Sequence, residues 1–207
     1  MNSRRAVVAV SAILLLVSLA GCASTTLTGS WADPKYTSGE FKKIMVVGVA
    51  KRDAVRNIFE DAFVTQLREH GSDGIQSRTL GLGDGQIDKE TLAAKLTELG
   101  CDGVLVTRMI DQKTEQTYYP PSGYAVPSAY YGGYYGYYSG AYAMAYSPGY
   151  TVESTTVSLE TTLYDVRTGE LVWTGLTDTI VSDDITSQAN ELINILVREM
   201  QAKKLVK

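Results

Sequence analysis

Histidine is almost absent from this chain of 207 residues: it occurs once, at position 70. Cysteine occurs twice, tryptophan twice and phenylalanine three times. One histidine leaves no zinc site of ordinary type and no well-placed catalytic triad, and two cysteines cannot build a disulfide scaffold. A basic excess is missing as well. Lys and Arg number 19 against 23 Asp and Glu, and a pI near 5.1 argues against a nucleic-acid partner. Long apolar runs are missing too, apart from the charge-free stretch Ala6 to Ala20. As a helix it would reach roughly 22 Å, short of the ~30 Å hydrocarbon core, so a polytopic membrane protein is excluded. What abounds is tyrosine, 14 residues in all.

The apolar stretch follows a short basic head, Met1 to Arg5, and ends in small residues, which is the pattern of a signal peptide. Its end, Leu19-Ala20-Gly21-Cys22, resembles the lipobox of bacterial lipoproteins. That resemblance implies cleavage between Gly21 and Cys22, a diacylglycerol on the Cys22 thiol and an acyl group on the new amine. The lipid on Cys22 is the only non-protein group expected; no metal or other cofactor is. Ser3-Arg4-Arg5 lacks the remainder of a twin-arginine signal, so the general secretory route fits better. Two or three acyl chains make an effectively permanent membrane anchor, since each buried CH2 contributes ~0.8 kcal/mol. Ala23 stands where enteric lipoproteins carry the Asp that holds them in the inner membrane. The expected place is therefore the outer membrane, facing the periplasm. Residues 22–40, rich in Ser, Thr and Gly, read as an acylated N-terminus and tether.

Residues 41–207 read as one α/β (α+β mixed) domain with the order β-α-β-α-β, insert, β-β-α. Lys42 to Val49 is apolar on both faces of a period-two pattern, as in a strand covered on both sides. Asp53 is a candidate N-cap for a helix ending at His70, with Gly71 in the C-terminal cap position. Ile75 to Leu80 suggests a strand, Asp88 an N-cap for a second helix, and Val104-Leu105-Val106 a third strand. Thr151 to Val166 alternates, turns at Asp165–Glu170 and returns through Leu171-Val172-Trp173. Ile185, Ala189, Leu192, Ile193, Leu196, Val197 and Met200 stripe a final helix. The expectation is a mixed five-stranded sheet with helices on its faces.

The insert, 118–150, holds 12 of the tyrosines, and no charge occurs between Glu115 and Glu153. It has neither helical nor strand periodicity and cannot bury a core. Lengthening a hairpin loop this far costs only ~2 kcal/mol of closure entropy, so the fold tolerates it. Tyr rings stack on sugars and on other aromatics, and Tyr with Gly and Ser suits adaptable binding loops. Tyr130, Tyr131, Tyr134, Tyr135, Tyr137 and Tyr138 are candidate contacts to an envelope protein or to peptidoglycan; the other reading is a low-complexity spacer. His70 is best read as a helix-end dipole partner, Cys101 as a packed thiol and Asp183-Asp184 as a helix start. Gly81-Leu82-Gly83-Asp84-Gly85 lacks the ending of a phosphate loop, which leaves Gly81 to Asp88 as a minor small-ligand or hydrolase candidate. An enzyme is not expected.

The segments Gly29-Ser30-Trp31-Ala32-Asp33-Pro34, Lys43 to Gly48 and Leu171-Val172-Trp173-Thr174-Gly175 together resemble a family of bacterial lipoproteins of unknown function, many with a Tyr/Gly-rich stretch at the same place. More distantly, the element order is similar to the TolB amino-terminal region, the curli secretion lipoprotein and lipoprotein activators of penicillin-binding proteins. The resemblance implies no catalytic residue. It implies a membrane-anchored module that binds or scaffolds another envelope component, with a structural, oligomer-forming lipoprotein as the alternative.

Overall fold

The double-sided apolar pattern of Lys43–Val49 becomes the strand β2, and its two faces feed two different cores. In the computed structural model, which describes residues 24–80, 89–119, 136, 138 and 149–207, Ile44 and Val46 point into one core. Met45 and Val47 point into the other. The six-stranded mixed sheet runs β1-β6-β5-β4-β2-β3, with β1 at Thr25–Ala32, β3 at Asp73–Gln76, β4 at Gly103–Tyr119, β5 at Tyr150–Asp165 and β6 at Leu171–Ile180. β2 pairs in parallel with β3 (Ile44 opposite Gly74) and with β4 (Val46 opposite Leu105), while β1 pairs antiparallel with β6.

Three helices lie against the sheet among the described residues: α1 at Asp53–Glu69, α2 at Lys89–Glu98 and α3 at Ile185–Ala202. Phe63, Val64 and Leu67 of α1 join Leu192, Ile193, Leu196, Val197 and Met200 of α3 in the larger core. Leu96 of α2 packs with Met45, Leu80 and Cys101 in the smaller one. The α/β class is as expected, and so is the apolar stripe of the final helix.

Three local expectations are corrected. The sheet has six strands rather than five, because Thr25–Ala32, read as tether, is its edge strand β1. Beyond it Tyr36 stacks on the buried Phe41 with ring centroids 5.3 Å apart, while residues 37–40 stay exposed. The N-cap of α1 is Arg52 rather than Asp53, whose carboxylate instead takes Arg56 Nη2 at 2.7 Å. Finally, β3 covers only Asp73–Gln76, and Ser77–Leu80 is a 3-10 turn. Glu60 explains that break, since its carboxylate accepts from Ser77 N at 3.1 Å and from Ser77 Oγ at 2.5 Å, which draws the chain off the ladder. The expected cap at Asp88 lies outside the described residues.

The chain divides into two compact units, one running to Asp111 and resuming over Val157–Lys207, the other Gln112–Thr156. The first holds both cores. The second carries the outer parts of β4 and β5.

Candidate functional site

The first described residues belong to the edge strand. Ser24 Oγ donates to Glu191 Oε2 of α3 at 2.5 Å, and the Ser24 carbonyl accepts from Ile180 N at 2.8 Å. Thr25 N reaches Glu191 Oε1 at 3.3 Å, and Thr25 and Thr179 share a buried hydroxyl hydrogen bond at 3.0 Å. Farther along, Ser30 Oγ donates to Glu199 Oε1 at 2.7 Å and accepts from Trp173 Nε1 at 3.3 Å. Two of the segments that carry the lipoprotein resemblance thus meet, as neighbouring strands. The Trp173 indole lies over Gly175, where an added Cβ would stand 2.6 Å from the ring, so the glycine in Trp173-Thr174-Gly175 makes room for it. One histidine-poor, cysteine-poor edge of the sheet is therefore tied to α3 by two glutamates.

The tyrosine-bearing unit is built differently. Thr114 and Thr155 share a hydroxyl hydrogen bond at 3.0 Å, and Gln116 Nε2 donates to Glu153 Oε2 at 3.3 Å. Next to these, Tyr119 and Tyr150 stack with ring centroids 5.2 Å apart and planes 17° from parallel. Tyr118 and Tyr150 are exposed, and so is Tyr138, which occupies a helical position. Exposed aromatic rings set side by side are what a sugar ring or a flat peptide surface can stack on.

No family model and no curated protein matches this chain. Solved structures do. The chain is similar to a PelC dodecamer from Paraburkholderia phytofirmans, with a TM-score of 0.47 and 13% identity over 88% of this chain and 99% of that one. It is also similar to lipoprotein GNA1162 from Neisseria meningitidis, with a TM-score of 0.41 and 15% identity over 77% and 98%.

Of the residues singled out from sequence, Gly21, Cys22, Tyr130, Tyr131, Tyr134, Tyr135 and Tyr137 lie outside the described residues, as does Gly81 to Asp88. His70 caps the C-terminus of α1, and its Nδ1 meets Gln201 Nε2 at 3.3 Å, a contact between two helix ends. Cys101 is a buried thiol in the smaller core, and burial pushes its pKa up, which makes it a poor nucleophile. Asp184 starts α3 by accepting from Ser187 N at 3.0 Å. None of these converges with another. Among the described residues no group of three or more His, Cys, Asp or Glu could hold a metal ion, and no helix is long and apolar enough to cross a membrane.

Sequence reasoning missed Glu60. It is a wholly buried carboxylate in the apolar stripe of α1, and besides Ser77 it accepts from Gly48 N at 3.0 Å. Three donors converge on it, which offsets much of the cost of burying the charge. Its work is to pin α1 to the end of β2 and to the exit of β3. The signal in the sequence is a lone acid at helical spacing from Phe63, Val64 and Leu67, and it resembles any surface glutamate until the strands are placed around it.

Proposed function

We propose that this chain is a cell-envelope lipoprotein, acylated on Cys22 and held at the outer membrane facing the periplasm. It works there as a non-enzymatic binding module, with its uncharged tyrosine-rich segment touching a glycan or protein of the envelope. The observation that carries the reading is the lipobox-like Leu19-Ala20-Gly21-Cys22 set three residues ahead of the edge strand β1. A second support is the stacked Tyr119–Tyr150 pair, which places aromatic faces where the two strands meet the insert.

Metabolic labelling with a clickable fatty acid tests the anchor. The wild-type chain is expected to take up label and fractionate with membranes, and Cys22→Ala to lose both; label retained by Cys22→Ala would overturn the assignment. The binding role is tested by replacing residues 120–149 with Asn-Gly, a two-residue hairpin turn. Co-sedimentation with purified peptidoglycan sacculi and crosslinking to envelope proteins should both fall while membrane fractionation persists. Equal capture with and without the segment would remove the tyrosines from the function.

A further inference from the structure

The edge strand leaves almost no slack for a lipid anchor. Cys22 precedes Ser24 by two residues, which span at most ~7 Å of extended chain. Ser24 itself is held on both sides, by Ile180 N on its carbonyl and by Glu191 on its hydroxyl. A diacylglycerol on Cys22 would therefore enter the bilayer beside the end of β6, and that end of the domain would meet the lipid interface.

The surface found at that end is apolar. Ile180 is 51% exposed, Val181 48% and Ile185 38%. The turn that carries them is ordered by Gln188, whose side chain donates to the Ile180 carbonyl and accepts from Ser182 N at 3.1 Å, and by the Asp184 cap on α3. The opposite end of β6 contrasts with it, since the β5–β6 turn shows Arg167, Thr168 and Glu170 to solvent. In the chain around it, no Lys or Arg occurs between Glu170 and Arg198 or between Ser24 and Pro34, while Asp183 and Asp184 flank the turn. Such a surface fits a lipid interface entered by apolar side chains.

We propose that Ile180, Val181 and Ile185 form a membrane-seating patch, so that the domain rests on the bilayer carrying its own Cys22 lipid with no intervening tether. This rests on the lipoprotein reading of Cys22. The test uses the full chain, processed in cells and reconstituted into phosphatidylethanolamine/phosphatidylcholine vesicles. An environment-sensitive fluorophore is placed at Val181→Cys, at Ile185→Cys and, as the distal control, at Glu170→Cys; the buried Cys101 stays unlabelled. Circular dichroism checks each variant's fold, and mass spectrometry reads the Cys22 peptide.

The expected result is blue-shifted emission at 181 and 185, quenched several-fold more by doxyl-labelled lipids than at 170. With acylated Cys22 and equal quenching at all three positions, the patch is overturned and the lipoprotein reading stands. Blue-shifted emission that doxyl lipids leave unquenched means that protein, such as a second copy of this chain, covers the patch, and this also overturns it. A Cys22 peptide without acyl mass overturns both readings together.

Discussion

The unit with the two cores and the unit Gln112–Thr156 use the same strands on opposite terms. In the first, β4 and β5 bury Leu105, Thr107, Thr161 and Leu163 beneath helices. In the second, every described residue of β4 from Gln112 to Tyr119 is exposed, and so are the facing residues Tyr150–Ser154. The first is held by apolar burial at roughly 25 cal/mol per Å². The second is held by cross-strand pairs worth about 0.2–1 kcal/mol each, in a two-stranded ribbon of a kind that is marginal alone in water. The lesson is separability: a ribbon that contributes little to stability can carry function, vary and open without unfolding the cores.

The sharpest test of that contrast is Trp173→Ala. Trp173 is fully buried between β6 and α3, and its loss should cost about 3–5 kcal/mol. Urea denaturation followed by circular dichroism reads it, and a shift below about 1 kcal/mol would break the distinction. Glu60→Ala comes next. It strands Gly48 N, Ser77 N and the Ser77 hydroxyl, at a cost of about 2–4 kcal/mol, while Glu60→Gln should recover part of it by keeping an acceptor. Equal losses in the two variants would show that the charge rather than the acceptor matters.

Asp165 gives a smaller, pH-dependent effect. Hydrogen bonds from the Arg167 guanidinium hold its carboxyl below its ordinary value, despite burial. A carboxylate with a depressed folded pKa stabilises above its unfolded pKa of ~3.9, and the contribution fades as pH falls through the folded value. Asp165→Asn should therefore cost about 1 kcal/mol at pH 7, since Arg167 is largely exposed, and the gap to wild type should close below about pH 4. A gap that widens in acid would reverse the assignment. The smallest effect belongs to the ribbon. Tyr119→Ala with Tyr150→Ala should move the global unfolding midpoint by no more than about 0.5 kcal/mol, while hydrogen exchange of amides 112–119 speeds up. A larger global loss would merge the two regions into one folding unit.

Legibility followed the same divide. Period-two and period-3.6 apolar patterns announced β2 and α3, because burial on those faces leaves its mark on composition. β1 left little mark. It runs TTLTGSWA, is covered on one side only, and shifts register between Leu27 and Gly29, so its alternation reads as a polar linker. Its pairing with β6 is accompanied by side-chain bonds to α3, whose Glu191 and Glu199 accept from Ser24 and Ser30. Glu60 was hidden for a similar reason, since nothing local tells a buried acceptor from a solvated one.

By itself, the sequence determined the α/β class and the placing of tyrosine in one uncharged segment, because each is written in adjacent residues. Only the tertiary structure decided that the chain after Cys22 is a strand and not a tether. It also brought Ser24 beside Ile180 and Glu191, more than 150 residues away in sequence. The physical reason is that backbone groups of a weakly patterned segment take partners from whatever edge the fold leaves open, and that edge is formed by residues at the other end of the chain.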